Sequence, residues 1–351
     1  MRYKVAGIVF EVLLEAPYKE MEYSPLVQKR IQRAAQGGIG LDIEPTRAGD
    51  DVPHRTLIQS REELLPDATG LDLSQYAPFA LPNSVISSEV EKSQTPDFTL
   101  RVQRGLENAP ELGNLVTNVH SQLPYYSIYE SDGATRYTLD ESPETGKPSA
   151  ILAMSADGAD GVLYADAALR AYGVVFQLST ALMIMFTHNS ALRNVLLIHA
   201  SVIGINGKAN IFLGKSGTGK STHSRLWLEH IPGAELLNDD NPALGFDADG
   251  NLIVYGTPWS GKTPCYRNVC APVNAIVRLD QAPANRIERE NGLNAYAALL
   301  GSVSAIRWNR PIMDAITRSV EKAAGSAKVF HLFCLPDAGA AQLCASSTIA
   351  G

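Results

Sequence analysis

Cysteine is scarce: the 351-residue chain has 4, at Cys265, Cys270, Cys334 and Cys344. None are spaced as C-x-x-C and no histidine or cysteine pair completes a knuckle, which excludes a disulfide framework and a zinc ribbon and leaves all four as small core residues. Basic runs are missing as well. Lysine and arginine number 30 against 37 aspartates and glutamates, a net charge of −7. With no basic stripe interleaved with aromatics, neither nucleic acid nor an anionic membrane is an expected partner. Apolar runs of membrane-spanning length are also absent: the most apolar stretch, residues 171–186, carries Gln177, Ser179 and Thr180 and reads as a buried helix. Arg2 and Lys4 precede a short apolar run that Glu11 interrupts, so no secretory signal is expected and the cytoplasm is the expected location.

What is present is enough for a large core and two domains. Residues 1–160 read as a smaller α+β module without chemistry-bearing motifs. Ser24-Pro25 ahead of Leu26, Ile31 and Ala34 predicts a capped helix, and residues 42–96, rich in Pro, Asp, Ser and Glu, predict irregular structure. Strands over 125–130, 136–139, 150–154 and 161–164, separated by Asp132-Gly133, a Pro/Gly loop and Asp157-Gly158, predict an antiparallel meander. Residues 161–351 read as an α/β domain: a long apolar helix to about residue 188, a strand over 195–205, the hairpin signal Asn206-Gly207, and further strands before a helical C-terminus. Asp247, Asp249 and Asn251 superficially suggest a calcium loop, but the glycine comes two places early, and the segment reads as a turn.

The chemistry concentrates in Gly214-Lys215-Ser216-Gly217-Thr218-Gly219-Lys220-Ser221, which satisfies every fixed position of G-x-x-x-x-G-K-[ST]. Glycines let the backbone curl so that successive N–H groups face phosphate oxygens; Lys220 adds a point charge and Ser221 a hydroxyl for Mg²⁺. An apolar strand over 209–213 precedes the loop. A helix follows, with His223, Leu226, Trp227, His230 and Ile231 expected inward and Ser224, Arg225 and Glu229 outward. The loop therefore opens a helix, whose unpaired amides and macrodipole favour an anion.

Phosphoryl transfer also needs a metal ligand and a group that deprotonates or positions the acceptor hydroxyl. Leu236-Leu237-Asn238-Asp239-Asp240 ends a short apolar segment in two carboxylates, and a bend is required for both to reach one site, because neighbours on a strand face opposite ways. His199 is a polar group inside the apolar run 196–200, and an imidazole hydrogen-bonded to that pair would tune it toward a general base. Trp259, Lys262 and Arg267 lie in a Gly/Pro-bearing loop; the cations are candidates for a second clamp on the phosphoryl group, and the tryptophan for packing over a substrate.

The order of Leu197-Ile198-His199-Ala200-Ser201, Ile205-Asn206-Gly207, Gly214 to Thr222 and Leu236 to Asp240 resembles the catalytic domain of HPr kinase/phosphorylase. The Ser-Gly-Thr-Gly-Lys core is also similar to ATP-dependent phosphoenolpyruvate carboxykinase, which shares that fold. The resemblance covers about residues 190–279. It implies a P-loop domain with a mixed sheet, using ATP and Mg²⁺. Residues 214–222 would hold the nucleotide, Asp239 would act as base toward the acceptor hydroxyl with His199 contacting it, and Asp240 would lie close to the metal with Ser221. The Arg-Gly-Leu-Gly signature of HPr kinases is replaced here by Gly256-Thr257-Pro258-Trp259-Ser260-Gly261-Lys262, so neither the phosphorylase activity nor HPr as acceptor carries over. The leading expectation is a kinase acting on a hydroxyl of a protein, peptide or small molecule. A carboxykinase-like lyase and a non-catalytic ATP-binding module are the alternatives, and the oligomeric state, a homo-oligomer included, is open.

Overall fold

The computed structural model describes residues 2–14, 95–120, 125–169, 171–259, 265 and 267–349, and all elements below are those of the described residues. The expected helix over 24–34, nearly all of the irregular stretch 42–96, and Lys262 lie outside them. The fold is α/β with mixed sheets. The described residues divide into two compact units, one comprising residues 2, 10–14, 98–120, 125–169 and 171–185, the other 3–9, 95–97, 186–259, 265 and 267–349.

The first sheet is built from β1 (Arg2–Val5), β2 (Ile8–Leu14), β3 (Phe98–Arg104), β4 (Asn114–Val119), β5 (Tyr125–Ser131), β6 (Ala134–Glu141), β7 (Ala150–Met154) and β8 (Asp160–Ala165), in the order β1-β2-β3-β8-β7-β6-β5-β4. The expected meander is its β5-β6-β7-β8 portion, antiparallel throughout, while β2, β3 and β8 run parallel and make the sheet mixed. β8 belongs to this sheet. The helix α1 (Ala171–Ala191) follows it, and the division between the units falls between Met185 and Phe186 within that helix, later than the expected boundary at residue 160. No helix of the described residues is long and apolar enough to cross a membrane.

The second unit carries the loop. Its elements are β9 (Leu196–Leu197), β10 (Ala200–Ile205), β11 (Lys208–Leu213), α2 (Lys220–His230), β12 (Glu235–Asp240), β13 (Ala243–Phe246), β14 (Leu252–Tyr255), β15 (Cys270–Gln281), β16 (Arg286–Glu290), α3 (Leu293–Leu300), α4 (Arg310–Ser326), β17 (Lys328–Cys334) and α5 (Ala338–Ile349). The sheet order is β12-β10-β11-β15-β14-β13-β9, with β17 also on β15 and β16 on β17. β11, β15 and β17 are mutually parallel neighbours. β10 is antiparallel to both β11 and β12, so β11 and β12 end at the same edge.

Alternation along β10 and β11 explains why this sheet is covered on both faces. Val202, Ile211 and Leu213 join a core with Ile276, Leu299, Ile312, Ile316 and Val320, whereas Ile203 and Phe212 join Trp227, Val277, Leu332 and Cys344. Each such side chain contributes roughly 1.5–3 kcal/mol when fully buried. Local signals set the connections. Asn206 (φ 52°) and Gly207 (φ 72°) turn β10 into β11, and Asn309 caps α4 by accepting from the Ile312 amide at 3.2 Å. Asp247 closes the β13–β14 turn, its carboxylate accepting from the amides of Asp249 (3.0 Å) and Asn251 (2.7 Å), as a turn residue does.

Candidate active site

Three pieces of chain meet at one edge of the second sheet because of a single register. Ala200, the first residue of β10, lies opposite Leu213 on one flank and Asp240 on the other. Leu213 leads into the glycine-rich loop, Asp240 closes the carboxylate pair, and His199 immediately precedes Ala200. Adjacent strands are about 4.8 Å apart, which brings loop and carboxylates within roughly 10 Å across two ladders.

His199 is not inside a strand. The expected strand over 195–205 breaks there: β9 pairs with β13, β10 pairs with β11 and β12, and the chain changes partners at His199, whose amide donates to Ser302 O at 2.7 Å. The break leaves the imidazole 40 % exposed instead of sealed in the core.

The loop leaves β11 and re-enters helix at Lys220. Gly217 (φ 83°) and Gly219 (φ 107°) need positive φ although nothing crowds the space where a Cβ would stand, so the demand is conformational. Thr218 closes the turn, its amide and hydroxyl both donating to Lys215 O at 3.1 and 2.8 Å. Gly219 is the N-cap of α2 and supplies no side-chain cap, so no side chain from that position takes the first-turn amides. Lys215 and Ser216 are exposed, Gly214 and Thr222 half-buried. Lys220 is buried and its Nζ donates to Gly214 O at 2.9 Å. Burial lowers its pKa, opposed by the negative charge of Asp240 and then of Asp239.

The bend that two adjacent carboxylates need is present. Asp239 and Asp240 pair in regular register with Ser201 and Ala200, and the bend lies in the backbone of Asp240, whose φ of 128° is a conformation that favours glycine. The aspartates consequently acquire different partners. Asp239 is buried and its Oδ1 accepts from the Ser221 hydroxyl at 3.1 Å. Asp240 is 35 % exposed; its Oδ1 lies 3.2 Å from His199 Nε2 and its Oδ2 accepts from Asn241 Nδ2 at 2.8 Å. His199 thus contacts Asp240, not Asp239 as the sequence suggested. Hard oxygen donors from Ser221 and the two carboxylates suit Mg²⁺, although the described residues contain no group of three metal-ligating His, Cys, Asp or Glu side chains.

Trp259 and Arg267, the described candidates from this loop, are placed differently from expectation. Trp259 is 2 % exposed and packs edge-on against Phe186 at 5.3 Å, which places it in the core. Arg267 donates to Glu235 Oε2 at 2.8 Å and Leu236 O at 2.7 Å. Those groups start β12, whereas the aspartates end it, so the guanidinium sits at the wrong end of the strand to clamp a phosphoryl group. Ser224 also departs from expectation, being buried with its Oγ 2.6 Å from Ser201 Oγ. Asn238 and Thr257 escaped sequence reasoning. Asn238 Nδ2 donates to Thr257 Oγ1 and Trp259 O, both at 3.3 Å, and Thr257 Oγ1 donates to Asn241 O at 2.6 Å, fixing the backbone on both sides of the acidic pair.

No family model and no curated protein matches this chain. Among solved structures, the Hpr(Ser) kinase/phosphatase from Coxiella burnetii is similar over 44 % of this chain and 93 % of that one, at 14 % identity and a TM-score of 0.26. That likeness assigns no activity to this chain.

Proposed function

We propose that the chain is an ATP- and Mg²⁺-dependent phosphotransferase that moves the γ-phosphoryl group to a hydroxyl. The observation that carries the reading is the register at Ala200, which brings the loop with Lys220 and Ser221, the Asp239–Asp240 pair and His199 to one sheet edge. Loop amides and Lys220 hold the phosphates; Ser221 with Asp239 is the metal-binding pair. When bound, Mg²⁺ would neutralise negative charge on the β- and γ-phosphate groups.

Asp240 takes the role of base, an exchange of the roles expected for the two aspartates. Its carboxylate is accessible, whereas Asp239 is buried and engaged by Ser221. The acceptor proton passes to Asp240, the acceptor oxygen bonds to the γ-phosphorus, and the bond to the β–γ bridging oxygen breaks, releasing ADP. His199, with its proton on Nε2, donates to Asp240 Oδ1 and fixes that carboxylate's orientation.

The test measures ADP release and nucleotide affinity with candidate hydroxyl acceptors. Asp240→Asn is expected to slow turnover about 10²- to 10⁴-fold with nucleotide affinity retained. Asp239→Asn is expected to weaken Mg²⁺-dependent nucleotide binding, and Lys220→Ala to abolish transfer. Parental turnover by Asp240→Asn would remove the base assignment, and ATP binding unaffected by Lys220→Ala would remove the phosphate-loop reading itself.

A further inference from the structure

We infer that the nucleoside end of the donor is held over the C-terminal ends of β15 and β17, with Asp280 accepting from the ribose hydroxyls. The inference rests on the phosphotransfer reading and identifies the part of the donor that the loop does not touch. In the sheet order, β12 lies two strands from β11 on one side and β17 two strands away on the other. Asp239, Asp240 and His199 occupy the first side. An extended triphosphate whose γ end reaches Asp240 therefore directs its nucleoside toward the second.

There the strands carry a concentration of ionisable groups that neither the core nor the transfer chemistry uses. Arg278 and Asp280 alternate on β15, and His331 lies opposite Arg278 on β17. His331 Nε2 is 2.8 Å from Asp280 Oδ2, and Arg278 lies 2.6 Å from Glu290 Oε1, 2.7 Å from His331 Nδ1 and 3.3 Å from Asp280 Oδ2. Glu290 is 8 % exposed at its side chain, yet its Oε2 has no hydrogen-bond partner, and neither has Arg278 Nε. Asp280, by contrast, is 50 % exposed. The next residue, Gln281, reaches the loop itself, its Nε2 lying 3.4 Å from Gly217 O and Thr218 O, so the cluster adjoins the phosphate cradle.

Charge selects the ligand chemistry. Arg278 offsets one of the two carboxylates, and the cluster holds one carboxylate more than guanidinium groups. Another phosphate would be repelled there, whereas a group that donates hydrogen bonds is attracted. A ribose cis-diol is such a group. Phe333 faces Asp280 across the β15–β17 ladder and is covered by Arg286 at 4.3 Å, giving the polar cluster an aromatic neighbour.

Calorimetric titration of the full chain with Mg²⁺ and three probes tests this: ATP, 2′,3′-dideoxy-ATP and inorganic tripolyphosphate. The parental protein is expected to bind ATP about tenfold more tightly than dideoxy-ATP, the effect of one or two hydrogen bonds to a charged acceptor. Asp280→Ala is expected to abolish that preference with tripolyphosphate affinity unchanged. Equal affinity of the parental protein for ATP and dideoxy-ATP overturns the inference and leaves the loop reading intact. Equal loss of ATP and tripolyphosphate binding in Asp280→Ala overturns it as well, and makes the cluster a structural brace. Failure of all three probes to bind the parental protein overturns the phosphotransfer reading itself.

Discussion

Replacing Asp240 by glycine and by alanine separates backbone strain from side-chain contacts. Both variants lose the hydrogen bonds to His199 and Asn241, so those losses cancel in the comparison. At φ 128° alanine keeps the strain that aspartate bears, of order 1–3 kcal/mol, and glycine sheds it. Glycine in turn loses about 0.4–1 kcal/mol more chain entropy on folding. The balance favours glycine by about 0–2.6 kcal/mol, with its centre at about 1 kcal/mol, the opposite of the usual order inside a strand, where alanine leads by about 0.5–1 kcal/mol. All 3 tryptophans, Trp227, Trp259 and Trp308, lie in the second unit, so urea unfolding followed by tryptophan fluorescence reads this unit alone. An Asp240→Ala midpoint at or above that of Asp240→Gly would refute strain at this residue. The glycine variant is also expected to be inactive, which would make the parental aspartate a stability cost retained for chemistry.

Two further outcomes follow from buried groups in the same unit. Burial holds the His223 imidazole down at about 4, where its Nε2 accepts from Trp227 Nε1 at 3.1 Å as a neutral ring must. The unfolded chain takes up this proton below about pH 6.5 and the folded chain does not, so stability is full above pH 6.5 and falls as pH drops toward 4. The loss amounts to about 3 kcal/mol at 1.36 kcal/mol per pKa unit, and His223→Gln should flatten that part of a pH-dependent denaturation series. A Cβ on Gly256 would stand 2.0 Å from Arg267 O, so Gly256→Ala must displace backbone. Its cost is expected at about 3 kcal/mol, the upper end of overpacking, visible as a lower thermal midpoint; an unchanged midpoint would mean that the 256–267 approach is loose.

The loop was legible because its chemistry is written in glycine positions and one lysine, which local sequence displays fully. The strand before it, the helix after it and the β5–β8 meander followed from periodicity and turn residues for the same reason. The partners of the two aspartates were not legible. They depend on the pairing of β12 with β10 and on the φ of Asp240, neither of which any residue type announces. His199 read as a strand interior because the run around it is uniformly apolar, and only the change of pairing partners exposes it. Trp259 and Arg267 were misplaced because a Gly/Pro segment does not disclose where its side chains go; the Arg267 backbone lies against Gly256 and its side chain reaches Glu235 at the start of β12.

β10 has a bonded neighbour on each flank, so the gap between phosphate cradle and acid pair is counted in whole residues and has no fine adjustment. A one-residue slip of either ladder would turn Asp239 to the opposite face. Adaptation to a new acceptor is thereby confined to what hangs from this edge. Thr257, which ties to Asn241, and the chain near Ser302 and Ser304, which ties to His199 and Leu197, are bound to the same ruler.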